Sequence, residues 1–129
     1  IATDGYYTFT MNTETLTYTL VAYDATAAAS YTTIGIIGSA TPSGWDASTA
    51  LTQSAPAFNS HVWSLDLLIL NEGEAKFRAD NLWTKNWGSN TAFSGVGVQE
   101  GANIPVAKSK YKVYFNDLDG SYLLIPNQE

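Results

Sequence analysis

Between Lys76 and Gly88 the chain runs Lys-Phe-Arg-Ala-Asp-Asn-Leu-Trp-Thr-Lys-Asn-Trp-Gly, gathering two tryptophans, two asparagines and three cationic side chains into one short stretch. A pyranose ring has apolar C–H faces and a rim of hydroxyls. It is recognised by a flat aromatic against the face and by a few placed polar groups around the rim. Asparagine both donates and accepts, and lysine or arginine supplies charge-assisted donors. Lys76, Arg78, Asn81, Trp83, Asn86 and Trp87 are therefore the candidate ligand-contacting residues. The competing reading is that one or both indoles are core, because tryptophan is highly buried on average. The expectation is that at least one of Trp83 and Trp87 meets a ligand. Trp63 alternates with leucines and is expected in the core. Trp45, in a Gly-Trp-Asp turn, fits either the end of the fold or the flank of a binding surface, with the core placement preferred.

Other chemistry finds little support. Glu72 and Glu74 flank Gly73 in a turn and read as solvated carboxylates rather than as a pair spanning a cleft, which glycoside hydrolysis requires. His61, after Asn59-Ser60, reads as a surface imidazole in a loop, and no serine-nucleophile motif surrounds it. Asp117-Leu118-Asp119-Gly120 resembles a fragment of a calcium loop but lacks the remaining ligands. Asp-Gly between two alternating segments is better read as a hairpin turn. With one histidine and no cysteine, zinc–thiolate, disulfide and multi-histidine chemistry are excluded. No enzyme activity, cofactor or metal is expected.

The elements that must position these residues are strands. Tyr7, Phe9 and Met11 alternate with threonines, as do Leu16, Tyr18 and Leu20. Trp63, Leu65, Leu67 and Ile69 mark a further strand, as do Tyr111, Val113 and Phe115. Phe77 would point into a core, leaving Lys76 and Arg78 on the opposite, solvent-facing side. The apolar run Ile34 to Ile37 suits a strand covered on both faces. Clusters at 12–14, 41–44, 71–73 and 117–120 are turns, and no segment holds a helical period. The predicted class is all-β, an antiparallel Ig-like β-sandwich with essentially no helix.

Residues 7–20 align without a gap onto residues 111–124, at an offset of 104 positions. Tyr7 matches Tyr111, Phe9 Val113, Met11 Phe115, Asn12 Asn116, Tyr18 Tyr122 and Leu20 Leu124. Hairpins converge on such patterns. The sharper account is a tandem parent with a period of about 104 residues. On that account residues 1–24 are a hairpin from the tail of a preceding module and 25–129 the sandwich proper, with the boundary in Ala25 to Ser30.

The net charge is −6 with only six Lys and Arg, which argues against a nucleic-acid partner or an anionic membrane surface. No run of about 18 apolar residues suggests a transmembrane helix. A negative surface without an obvious apolar patch leads to the expectation of a monomer.

Ile34-Gly35-Ile36-Ile37-Gly38-Ser39-Ala40-Thr41-Pro42-Ser43-Gly44-Trp45-Asp46 resembles the opening of modules in SusE/SusF-like outer-membrane lipoproteins of bacterial starch-utilisation systems. Glu74-Ala75-Lys76-Phe77-Arg78-Ala79-Asp80-Asn81 with Asn86-Trp87-Gly88 is similar to their central motif. Asn103-Ile104-Pro105-Val106 and Tyr111-Lys112-Val113-Tyr114-Phe115 resemble their closing strands. The resemblance covers residues 33–126 in order. It implies a β-sandwich starch-binding module, one of a tandem set held at the bacterial cell surface by an N-terminal lipid anchor outside this sequence. Its implied ligand is an α-glucan such as a maltooligosaccharide, near a companion outer-membrane importer and surface glycanase. Matched by motif, the implied binding residues are again Lys76, Arg78, Asn81, Trp83, Asn86 and Trp87.

Overall fold

A computed structural model describes residues 6–25, 28–54 and 61–129, and all regular structure among them is β. In chain order the strands are β1 (Tyr6–Asn12), β2 (Thr17–Tyr23), β3 (Ile34–Ile37), β4 (Thr49–Ala50), β5 (Thr52–Gln53), β6 (Val62–Leu70) and β7 (Gly73–Ala79). They continue with β8 (Asn86–Gly88), β9 (Ser94–Val96), β10 (Val98–Gln99), β11 (Ile104–Val106), β12 (Ser109–Asn116) and β13 (Ser121–Ile125).

The chain forms an antiparallel β-sandwich. One layer has the order β10-β8-β7-β3-β4, and β11 also pairs with β7; the other has the order β5-β6-β12-β13-β9. One edge of β7 is shared, with Gly73–Ala75 pairing β11 and Phe77–Arg78 pairing β8. Between β4 and β5 the chain crosses from one layer to the other at the buried Leu51, the way sandwich corners are made. No helix is long and apolar enough to cross a membrane among the described residues.

The core lies between the layers, where alternate side chains point inward. Ile34, Ile36, Ala75, Phe77, Trp87, Ile104 and Val106 come from the first layer. They meet Trp63, Leu68, Leu70, Tyr111, Val113, Phe115, Tyr122 and Leu124 from the second. Phe77 stacks on Phe115 at 4.5 Å between ring centroids, and Trp87 meets Phe115 edge-on with centroids 4.9 Å apart. Burying side chains of this size contributes about 1.5–3 kcal/mol each. β3 is buried along its whole length, as its unbroken apolar run predicts.

Three local expectations change. The alternation along β6 does not run through. Tyr111 pairs with Leu68 but Val113 with Leu65, so Asp66 and Leu67 together oppose Lys112. This bulge reverses the facing of the strand, so that Leu68 and Leu70 enter the core while Leu67 and Ile69 are exposed. Leu16 lies in the 13–16 turn, with φ of +58°, rather than on a strand.

His61 is the third correction: it is buried, not a surface imidazole. Its Nδ1 lies 2.6 Å from Asp117 Oδ1, and the Trp63 indole N–H donates to Asp117 Oδ2 at 2.8 Å. The interaction that buries it comes from far along the chain, as Asp117 begins the turn after β12. The residues before it, 55–60, lie outside the described set. That turn is the hairpin the sequence predicts, closed by Gly120 at φ +81°.

The hairpin β1–β2 pairs with no other described strand. At its base Tyr6 packs edge-on against His61, with ring centroids 5.6 Å apart, and its hydroxyl accepts from the His61 backbone N–H. Residues 26 and 27, within the expected boundary at 25–30, lie outside the described residues, as do residues 1–5.

Candidate functional site

β7 places Phe77 in the core and turns Lys76 and Arg78 to the other face, as the strand period requires. That face is not solvent-facing, and both residues are only 8% exposed. Two distant segments fold over it. Lys76 Nζ donates to the Gly101 carbonyl at 2.7 Å. Burial lowers the Lys76 pKa from its ordinary value, partly offset by the nearby Glu100 carboxylate. Gly88 and Gly101 make this closure possible, since a Cβ on Gly88 would collide with the Ala102 and Gly101 carbonyl oxygens. Lys76 is thus occupied in tying β7 to the 100–102 turn.

Arg78 is held differently. Its Nε donates to Ser48 Oγ at 2.6 Å, and its guanidinium carbon lies 4.9 Å from the centroid of the Trp83 ring. This is a cation–π arrangement in a partly desolvated setting. Among the described residues the one fully buried side-chain polar atom without a partner is Asn86 Oδ1.

The 80–85 connection that presents Trp83 is tightly built. Asp80 and Asn81 both take the left-handed conformation, at φ +55° and +57°, which asparagine and aspartate tolerate best among non-glycine residues. Asp80 Oδ1 accepts from the Thr32 and Thr33 backbone N–H groups, and the Asp80 N–H donates to the Thr33 carbonyl. Ala79 N–H donates to the Lys85 carbonyl, closing the loop at its base. Asn86, buried on β8, donates from Nδ2 to the Trp83 carbonyl at 2.9 Å. Asn81 is exposed on the same loop.

Trp83 is 45% exposed and Trp45 40% exposed, with ring centroids 6.1 Å apart and planes inclined by 35°. Trp45 is therefore on the surface, not in the core that its sequence context favours. It is set by the 41–46 turn: Gly44, at φ +59°, donates to the Thr41 carbonyl, and its own carbonyl accepts from the Gly38 N–H. The Thr41-Pro42-Ser43-Gly44 turn preceding Trp45 was the sequence signal for this placement. Nothing in sequence pointed to Ser48 as the anchor of Arg78.

Trp87 does not join this surface. Only 4% exposed, it packs edge-on against Phe115 and Tyr31, and the Lys85 ammonium lies 5.1 Å from its ring centroid. Of the six sequence candidates, the fold brings Trp83 to the surface beside Trp45, holds the buried Arg78 guanidinium against the Trp83 ring, and puts Asn81 on the adjoining loop. Asn86 lies behind that loop as a support. Lys76 and Trp87 are engaged elsewhere.

The arrangement is an antiparallel β-sandwich carrying a paired-indole platform with a fixed guanidinium beside it. It offers stacking area and directional donors. Among the described residues no group of three His, Asp or Glu side chains could hold a metal ion. No protein-family model matches the chain, and no curated protein is recognisably similar to it in sequence.

Proposed function

We propose that this domain binds a glycan without chemically altering it, through the surface formed by Trp45, Trp83 and Arg78. The observation that carries the reading is the exposed indole pair, 6.1 Å between centroids, with Arg78 anchored at its edge. Half-exposed tryptophans held by ordered loops give a large apolar platform at little conformational cost. Arg78 is already immobilised by Ser48, so donating to sugar hydroxyls costs little further side-chain entropy. The 35° inclination of the rings suits a curved chain, such as an α-linked glucan, better than a flat β-1,4-linked one.

The resemblance to SusE/SusF-like modules supports the same choice of ligand. On that reading the domain belongs at the bacterial cell surface, tethered by a lipid anchor outside this sequence. There it holds starch or maltooligosaccharides near a companion importer and glycanase. A shallow, wet platform of two rings gives weak binding, with a Kd on the order of 10 μM to 1 mM, or about 4–7 kcal/mol. Tandem modules would raise the overall affinity through effective concentration.

Tryptophan fluorescence titrated with maltoheptaose, with a β-1,4-linked glucan as control, tests the proposal. Trp63 and Trp87 are buried, so direct ligand contact would be reported by Trp45 and Trp83. The expected result is a saturable change with maltoheptaose that is lost in Trp83→Ala. A flat response to both sugars would refute α-glucan binding and favour a spacer role for the sandwich.

A further inference from the structure

The first and last hairpins of the chain are built to one plan. At the offset of 104 positions, β1 ends at Asn12 where β12 ends at Asn116, and β2 starts at Thr17 where β13 starts at Ser121. The pairing register is the same: Phe9 faces Leu20 as Val113 faces Leu124, and Met11 faces Tyr18 as Phe115 faces Tyr122. The turns match in detail. Asn12 Oδ1 accepts from the Glu14 N–H, and Asn116 Oδ1 from the Leu118 N–H. Leu16 takes the left-handed conformation that Gly120 takes, although leucine is penalised there and glycine is not.

The environments are opposite. In the closing hairpin Tyr111, Val113, Phe115, Tyr122 and Leu124 are all buried. Tyr7, the counterpart of Tyr111, is half-buried, and the other four counterparts, Phe9, Met11, Tyr18 and Leu20, are exposed to 57%, 62%, 71% and 39%. On the other face Thr8, Thr10, Thr17 and Thr19 lie toward the turn, while Val21 and Tyr23 are exposed toward the base. An isolated two-stranded hairpin is marginal in water at best, and this one exposes Phe9, Met11, Tyr18 and Leu20 on the face that its counterpart buries.

We infer that β1–β2 is the closing hairpin of another sandwich of the same kind, and that its apolar face docks into the open layers of a preceding copy of this module. The closing hairpin shows what such a copy must supply. β12 is flanked by β6 and β13 by β9, while Phe77 and Trp87 cover Phe115 from the facing layer. The first hairpin offers the same shape with its volumes exchanged, Phe9 for Val113 and Met11 for Phe115. This leaves the summed bulk similar and sets a polarisable thioether against the aromatic pair. A second copy of this chain is a poor occupant, because its equivalent surface is already filled by its own β12–β13.

Two experiments decide the matter. In the chain as it stands, sedimentation should show a monomer. Hydrogen exchange should find β1–β2 amides exchanging at least about 100-fold faster than those of β12–β13. A protected hairpin, whether in a monomer or in a dimer, would overturn the inference, since its face would then be covered by its own sandwich or by a second copy. The second experiment supplies the occupant by placing residues 28–108 directly before residue 5 of the full chain, preserving the repeat spacing. The β1–β2 amides should then slow by at least about 100-fold. The same tandem chain carrying Phe9→Val and Met11→Phe restores the closing-hairpin residues, and docking in either version supports the inference. Fast exchange of the hairpin in both versions would overturn it.

Discussion

Trp63 and Trp87 are packed between the layers of the sandwich, whereas Trp45 and Trp83 stand half in solvent on its surface. The buried pair sit on strands opposite core residues, Trp63 facing Phe115 across β6–β12 and Trp87 facing Phe77 across β7–β8. The surface pair come from loops clamped by backbone hydrogen bonds, the 41–46 turn and the 80–85 connection. Residue type is the same in all four, so cross-strand register separates structure from recognition. A tryptophan with a core residue across the ladder is claimed by the fold. One on a braced loop is left for something outside it.

The largest effect is expected from breaking the buried pair. Trp87→Ala removes an indole that contacts Phe115 and Tyr31 and should lower unfolding free energy by about 3–5 kcal/mol, as large-to-small core changes do. Urea denaturation checks this. A loss under about 1 kcal/mol would mean that Trp87 is not a core residue and that the division between the pairs is misdrawn.

Trp63 depends on a polar anchor, which gives the buried pair a pH signature the surface pair lacks. Asp117 accepts from the Trp63 indole and lies against His61. Burial raises its pKa above the ordinary carboxylate value, and the hydrogen bonds from Trp63 and His61 only partly pull it back. A carboxyl with a raised folded pKa is more protonated in the folded chain than in the unfolded one. Its contribution is therefore full below the unfolded value and is lost as pH rises through the folded value. Stability measured by denaturation across the acid range should fall over that window. Asp117→Asn should abolish that fall and, by giving two neighbours a single oxygen to share, cost about 1–3 kcal/mol near neutral pH. An unchanged pH profile in the variant would assign the dependence to another group.

For the surface pair the prediction reverses. Trp83→Ala should weaken maltoheptaose binding by about 1–3 kcal/mol while leaving the urea midpoint nearly unchanged, because the ring is half exposed and its loop is closed by backbone bonds. Titration and denaturation of the same variant read both quantities. A large stability loss with intact binding would exchange the roles of the two pairs.

The sequence made the layers legible wherever alternation was local. Tyr111, Val113 and Phe115 face inward as spaced, and the run Ile34 to Ile37 is covered on both sides. It failed where one residue of slippage matters: two residues of β6 opposite Lys112 turn Leu68 and Leu70 inward in place of Leu67 and Ile69. It failed too where the deciding contact is distant. Lys76 and Arg78 have the outward parity that their spacing predicts. What buries them, Gly101 and Ser48, lies 25 and 30 residues away. Asp117 claims His61 from 56 residues away. Trp87 was legible as an aromatic beside Asn86, yet its inward direction follows from pairing with Phe77, which spacing alone does not fix.

The smallest effect sharpens the comparison most. Trp45→Phe keeps an aromatic face but shortens the platform and removes an indole N–H, so glycan affinity should fall by less than about 1 kcal/mol, under fivefold or so. Stability should not change, since the turn that places residue 45 is held by Thr41, Gly38 and Gly44 rather than by the ring. Because Trp45 and Trp83 face one another at 6.1 Å, their truncations should not add. Once Trp83 is alanine, removing Trp45 as well should cost a different amount from removing it alone. Isothermal titration of the two single variants and the double variant measures that coupling. Strictly additive losses would mean that the rings contact separate ligands or none in common, and would dissolve the platform into two unrelated surface tryptophans.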